Sequence, residues 1–111
     1  MMAREKIEFE ESSGNVFIDL GFSEEEAEEL AAKAELARQI GKAIASRHMT
    51  QAAAAKALHI DRSKVSKIVN GHLDDFAIGR LMVFLRRLDR QVDILVSTKA
   101  RRGARLRVKA A

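Results

Sequence analysis

Thr50-Gln51-Ala52-Ala53-Ala54-Ala55-Lys56-Ala57-Leu58-His59-Ile60-Asp61-Arg62-Ser63-Lys64-Val65-Ser66-Lys67-Ile68-Val69-Asn70-Gly71 contains two helix starts separated by one short helix. Thr50 precedes an alanine-rich run, and its hydroxyl suits an N-cap; Asp61 stands in the same way before Arg62-Ser63-Lys64-Val65. Ile60 and Val65 have the spacing of a hydrophobic staple, which fixes the angle at which a chain joins a helix. Val65, Ile68 and Val69 form an i, i+3, i+4 apolar stripe. The remaining face carries Arg62, Ser63, Lys64, Ser66, Lys67 and Asn70, all donors with no acid among them. Gly71 is the residue a helix favours just past its end. A short helix, a tight corner and a second helix with a basic, donor-rich outer face suit a DNA major groove. An ordinary αα-corner would share the caps, but it has no reason to keep acids off one exposed face.

The composition supports one small domain with tails. The chain has 111 residues, 47% of them apolar and 32% charged, which is a globular balance. It has no proline and few aromatics but many alanines, so it should be mostly helical. The absence of cysteine excludes disulfides and thiolate metal sites and is compatible with a cytoplasmic protein. No apolar run reaches membrane-spanning length, and the acidic N-terminus is unlike a signal peptide. The net charge of +4 conceals an asymmetry. Residues 1–30 hold 2 basic and 10 acidic side chains, residues 31–98 hold 12 and 6, and residues 99–111 hold 6 and none. A basic body suggests a polyanion as partner and an acidic head suggests something basic, unless the head neutralises the body within the molecule.

Three regions follow: an acidic N-terminal arm with an apolar patch (1–22), a helix-turn-helix domain with a terminal strand (23–97), and a basic tail (98–111). In the arm, Ile7 and Phe9 alternate with charges, and Val16-Phe17-Ile18-Asp19-Leu20-Gly21-Phe22 must either close the core or present a docking site. Ser23 and Glu26 form a capping box for a helix running to about Arg47. Ala27, Leu30, Ala31 and Ala34 share one face of its first half; Leu36, Ile40, Ala43 and Ile44 line the second, with Gly41 suggesting a close helix crossing. Beyond Gly71, Phe76, Ile78, Leu81, Met82, Leu85 and Leu88 predict an amphipathic helix with Arg80, Arg86 and Arg87 outside. At Gln91–Ser97 the period changes to two, with Val92, Ile94 and Val96 on one face, which predicts a strand in need of a partner. The tail from Lys99 to Lys109 is either a phosphate-touching arm or a solubilising end.

Catalysis finds no support. His48, His59 and His72 are isolated, each near the end of an element, and there is neither a nucleophile–base pairing nor a Gly-rich phosphate loop. No cofactor or metal is expected, and the chain reads as a non-enzyme.

From Leu36 to Leu88 the chain resembles the lambda-repressor/Cro-like (XRE-type) helix-turn-helix family, through Leu36, Ile40 and Ile44, Thr50-Gln51, Ala54-Ala55, Leu58 and the run Ile60–Gly71. The flanks, Ser13–Phe22, Ala34-Glu35-Leu36-Ala37 and the expected terminal strand, are similar to a branch of HigA-like antitoxins. Ala77 stands where the family usually has a hydroxyl N-cap, and Asp89-Arg90 replaces its usual Gly-containing turn. The resemblance implies a mainly α fold, a lambda-repressor-like helix-turn-helix bundle with one short C-terminal β-strand. It implies a repressor that binds double-stranded operator DNA as a homodimer and often neutralises a RelE-like toxin. Thr50, Gln51, Arg62, Ser63, Lys64, Ser66, Lys67 and Asn70 are the candidate DNA-binding residues. Val16, Phe17, Leu20, Phe22, Glu25 and Glu29 are the candidate toxin-binding ones. A prophage-type or stand-alone regulator without a toxin is the alternative.

Overall fold

In the computed structural model, which describes residues 15–98 and 104–111, five helices begin and end at breaks written into the sequence. They are α1 (Val16–Asp19), α2 (Glu24–Ser46), α3 (Gln51–Leu58), α4 (Arg62–Val69) and α5 (Ile78–Arg87). The expectations for Ile7–Phe9 and for residues 99–103 of the tail lie outside the described residues.

Side-chain caps start the first three helices. The Asn15 carboxamide oxygen accepts from Phe17 N at 2.9 Å, and the Thr50 hydroxyl accepts from Ala53 N at 3.0 Å. Ser23 and Glu26 complete the reciprocal box, Glu26 N donating to Ser23 Oγ at 3.2 Å and Ser23 N to Glu26 Oε1 at 3.3 Å. Asp61 departs from expectation: it occupies the N-cap of α4 with extended backbone, but its side chain makes no capping bond. The staple does the fixing, because Ile60 is half-buried and Val65 wholly buried against the core. Ala77 heads α5, likewise without a side-chain cap.

The helix ends share one device. Past α2, α3, α4 and α5 an amide reaches back five residues: Met49 to Ile44 O, Ile60 to Ala55 O, His72 to Lys67 O and Arg90 to Leu85 O, at 3.1, 3.1, 2.8 and 2.9 Å. The preceding residue is left-handed each time, and it is glycine only at Gly71 (φ +81°). His48, His59 and Asp89 take that conformation with φ of 54°, 61° and 63°. Two of the isolated histidines are thus turn-formers, and Asp89 is a third such residue.

Leu36, Ile40, Ala43 and Ile44 of α2 are buried against Leu81, Phe84, Leu85 and Leu88 from α5 and its end, with Ala54, Leu58, Val65 and Ile68 completing the core. Helix α2 packs on α5, α4 and α1, and α3 packs on α4 and α5. It is one continuous helix of 23 residues, about 35 Å long at 1.5 Å per residue. In its first half the buried residues are Ala27 and Ala32; Leu30 and Ala31 are only half-buried and Ala34 is exposed. The face expected there is therefore displaced, because α1 covers only part of it. Gly41 marks no close crossing, since a Cβ built there meets nothing within 4 Å. Gly41→Ala should therefore raise the unfolding free energy by about 0.5–1 kcal/mol. Chemical denaturation checks this, and a loss of stability would mean that a neighbour does occupy that space.

The C-terminal strand is not present. Residues 91–97 take no regular secondary structure, residue 98 is a bend, and among the described residues no strand forms. Alternation shaped the segment, but a strand also needs a partner to take up its ladder bonds, and no described segment serves. Val92 packs against the core, while Ile94, Leu95 and Val96 are 73%, 90% and 87% exposed. Further on the chain returns to the body: Leu106 N donates to Glu28 Oε1 at 2.9 Å and Val108 is half-buried on the core. No helix among the described residues is long and apolar enough to cross a membrane.

Candidate nucleic-acid interface

Helix α4 is held from beneath by Val65 and Ile68, 0% and 2% exposed, so its opposite side must face solvent. Arg62, Ser63, Lys64 and Lys67 are exposed there and Ser66 is half-buried. Helix α3 supports this arrangement through buried Leu58 and through buried Ala54 and Ala55, which are small enough to let α4 approach. The end of α3 is braced by Arg87, expected to point outward, whose Nη1 donates to Leu58 O at 2.7 Å. A guanidinium on the last carbonyls of a helix is favourable both as a charged hydrogen bond and against the helix dipole. Thr50 and Gln51 are exposed at the N-terminus of α3. Thr50 already accepts a capping bond, which leaves its hydroxyl proton to donate outward.

Three further candidates, Asn70, Ser66 and Lys67, are engaged within the protein. Asn70 Nδ2 donates to Ser66 O at 2.9 Å and to Ser66 Oγ at 3.2 Å, which caps the end of α4. Lys67 Nζ lies 2.8 Å from Asp75 Oδ2. The Lys67 hydrogen bond, with the positive fields of Lys67 and Lys64, holds the Asp75 carboxyl below the usual carboxylate range, and the same bond raises Lys67. The outer face of α4 carries no acid of its own, but the loop after it brings one alongside. Sequence reasoning missed this pair because a loop has no period to place Asp75 against Lys67.

The second candidate surface is divided. In α1 and just after it, Val16, Leu20 and Phe22 are exposed, whereas Phe17 is half-buried with its ring edge-on to Phe22 at 6.3 Å between centroids. Glu25 and Glu29 are exposed on the adjacent turns of α2. Among the described residues no group of three or more His, Cys, Asp or Glu is placed to hold a metal.

An acid-free basic helix face, set on a buried stripe and braced by a short preceding helix, defines a DNA-binding helix-turn-helix domain. Residues 16–97 match the family described as helix-turn-helix domain, and the chain belongs to it. It is also similar to a solved structure assigned to the XRE family of transcriptional regulators. That likeness has a TM-score of 0.71 and 39% identity, covering 78% of this chain and 99% of the other. No curated protein matches the chain. The family is one of DNA-binding regulators, not of enzymes.

Proposed function

We propose that this chain is a sequence-specific transcriptional repressor, acting in the cytoplasm as a homodimer on double-stranded operator DNA. The observation that carries the reading is α4, which turns Arg62, Ser63 and Lys64 outward over wholly buried Val65. Residues early in such a helix reach base edges, and later ones meet phosphate. Arg62 is therefore the principal base reader, able to chelate guanine O6 and N7, with Ser63, Lys64 and half-buried Ser66 beside it. Lys67, Thr50 and Gln51 are phosphate contacts, and Asn70 closes the helix. One such helix reads few base pairs, so useful specificity calls for two half-sites, about 34–36 Å apart. The exposed Ile94-Leu95-Val96 run supports self-association, because three consecutive large apolar residues are left in water by a single copy.

The finer reading is that the chain is a HigA-like antitoxin that represses its own operon and covers a RelE-like toxin. Exposed Val16, Leu20 and Phe22 beside Glu25 and Glu29 support it, since an apolar patch rimmed by acids suits a basic partner. One observation favours the stand-alone regulator instead. The basic C-terminal segment meets the acidic start of α2 through Leu106 and Glu28, so part of the head is answered within the chain.

Anisotropy titration against the DNA upstream of its own reading frame tests the repressor. Binding there should be at least about 1,000-fold tighter than to random duplex at moderate salt; equal affinity overturns the reading. For the antitoxin, deleting residues 1–30 should abolish neutralisation of a toxin encoded alongside, and intact neutralisation removes that role.

A further inference from the structure

Of the charged side chains placed on the outer face of α4, Lys67 alone is described in an ion pair, and its partner lies outside the helix. Asp75 reaches it from the loop between α4 and α5, with Oδ2 2.8 Å from Nζ. Both side chains are about half exposed, at 47% and 59%. Such a pair contributes little to stability, so a structural need does not explain an acid on a surface that must meet phosphate.

We propose that Asp75 is a positioning residue that weakens DNA binding by holding Lys67 in competition with the phosphate backbone. This rests on the DNA-binding reading above. To contact a phosphate, Lys67 must exchange one anionic partner for another, and its net electrostatic gain shrinks accordingly. The carboxylate also stands close enough to Lys64 to reduce the field that helix presents. The affinity lost this way is independent of sequence, because phosphate carries no base identity. A reader of base sequence benefits: lowering affinity for all DNA alike leaves discrimination intact and keeps the protein from being held on random sites.

The test is a pair of anisotropy titrations over a range of salt, using a random-sequence duplex and the upstream duplex. Asp75→Asn keeps the shape and removes the charge. It should tighten both duplexes alike, about 3- to 10-fold near 0.1 M salt, and steepen the log–log salt slope by up to about 0.9, the value for one phosphate contact that Asp75 no longer offsets. In a Lys67→Ala background the same change should gain little, since the two positions are coupled. If wild-type protein binds neither duplex, the DNA-binding reading itself fails. If wild type binds but Asp75→Asn leaves affinity and slope unchanged, this inference alone fails. A gain that persists in full without Lys67 also overturns it, because Asp75 would then act on DNA by direct repulsion.

Discussion

Phe84→Ala should lower the unfolding free energy by about 3–5 kcal/mol, the usual cost of removing a fully buried aromatic ring. A domain of this size has about 5–15 kcal/mol in total, so the variant would sit near the edge of folding. Phe84 is wholly buried on α5 and meets the Phe76 ring edge-on at 6.1 Å between centroids. The Arg80 guanidinium lies 5.1 Å from its centroid, adding a cation–π contact. Removing the ring therefore takes material from the layer where α5 meets α2, the helix pair that frames the domain. Urea unfolding followed by circular dichroism measures the loss. A cost under about 1 kcal/mol would mean that Phe84 is not the core residue described here.

Arg62→Ala is expected to act on function with the fold intact. Arg62 is exposed at the first position of α4, so its loss leaves no cavity. A bidentate arginine–guanine contact discriminates by about 1–3 kcal/mol, roughly 5- to 150-fold at one base pair. Affinity for the operator should fall by that factor and the preference at one position should flatten, while binding to random DNA changes only by one charge. Lys67→Ala should instead weaken all sequences alike, and by less than an unpaired lysine would, because Asp75 already offsets its charge. Binding to a library of single-base operator variants separates the two patterns.

What was legible in the sequence was local. Caps at Ser23 and Thr50 and the staple of Ile60 and Val65 are written within a few residues and mark where helices start. The apolar stripe of α4, by contrast, holds only for Val65 and Ile68, its third member Val69 being 41% exposed. The recognition face followed, since burying Val65 and Ile68 leaves Arg62, Ser63 and Lys64 no alternative but solvent. Phe84 is also legible, three residues after Leu81, although the expected stripe omits it; Met82, which the stripe includes, is half-buried against the core. Other features depended on distant partners. Alternation at Gln91–Ser97 predicts a strand, but only another strand can complete one, and none of the described residues does. A glycine at position 41 suggests a close crossing, but no neighbouring helix makes one. Asp75 beside Lys67, and Arg87 on the end of α3, bring together residues separated by loops, where periodicity carries no information.

Helix α4 is the surface proposed to meet DNA. Backbone amide shifts of the labelled protein, followed while duplex from its own upstream region is added, test it most directly. The largest changes are expected at Arg62–Lys67 and at Thr50–Gln51, with a pattern that random duplex does not reproduce. Changes confined to the basic segment 104–111, or the same for both duplexes, would contradict it.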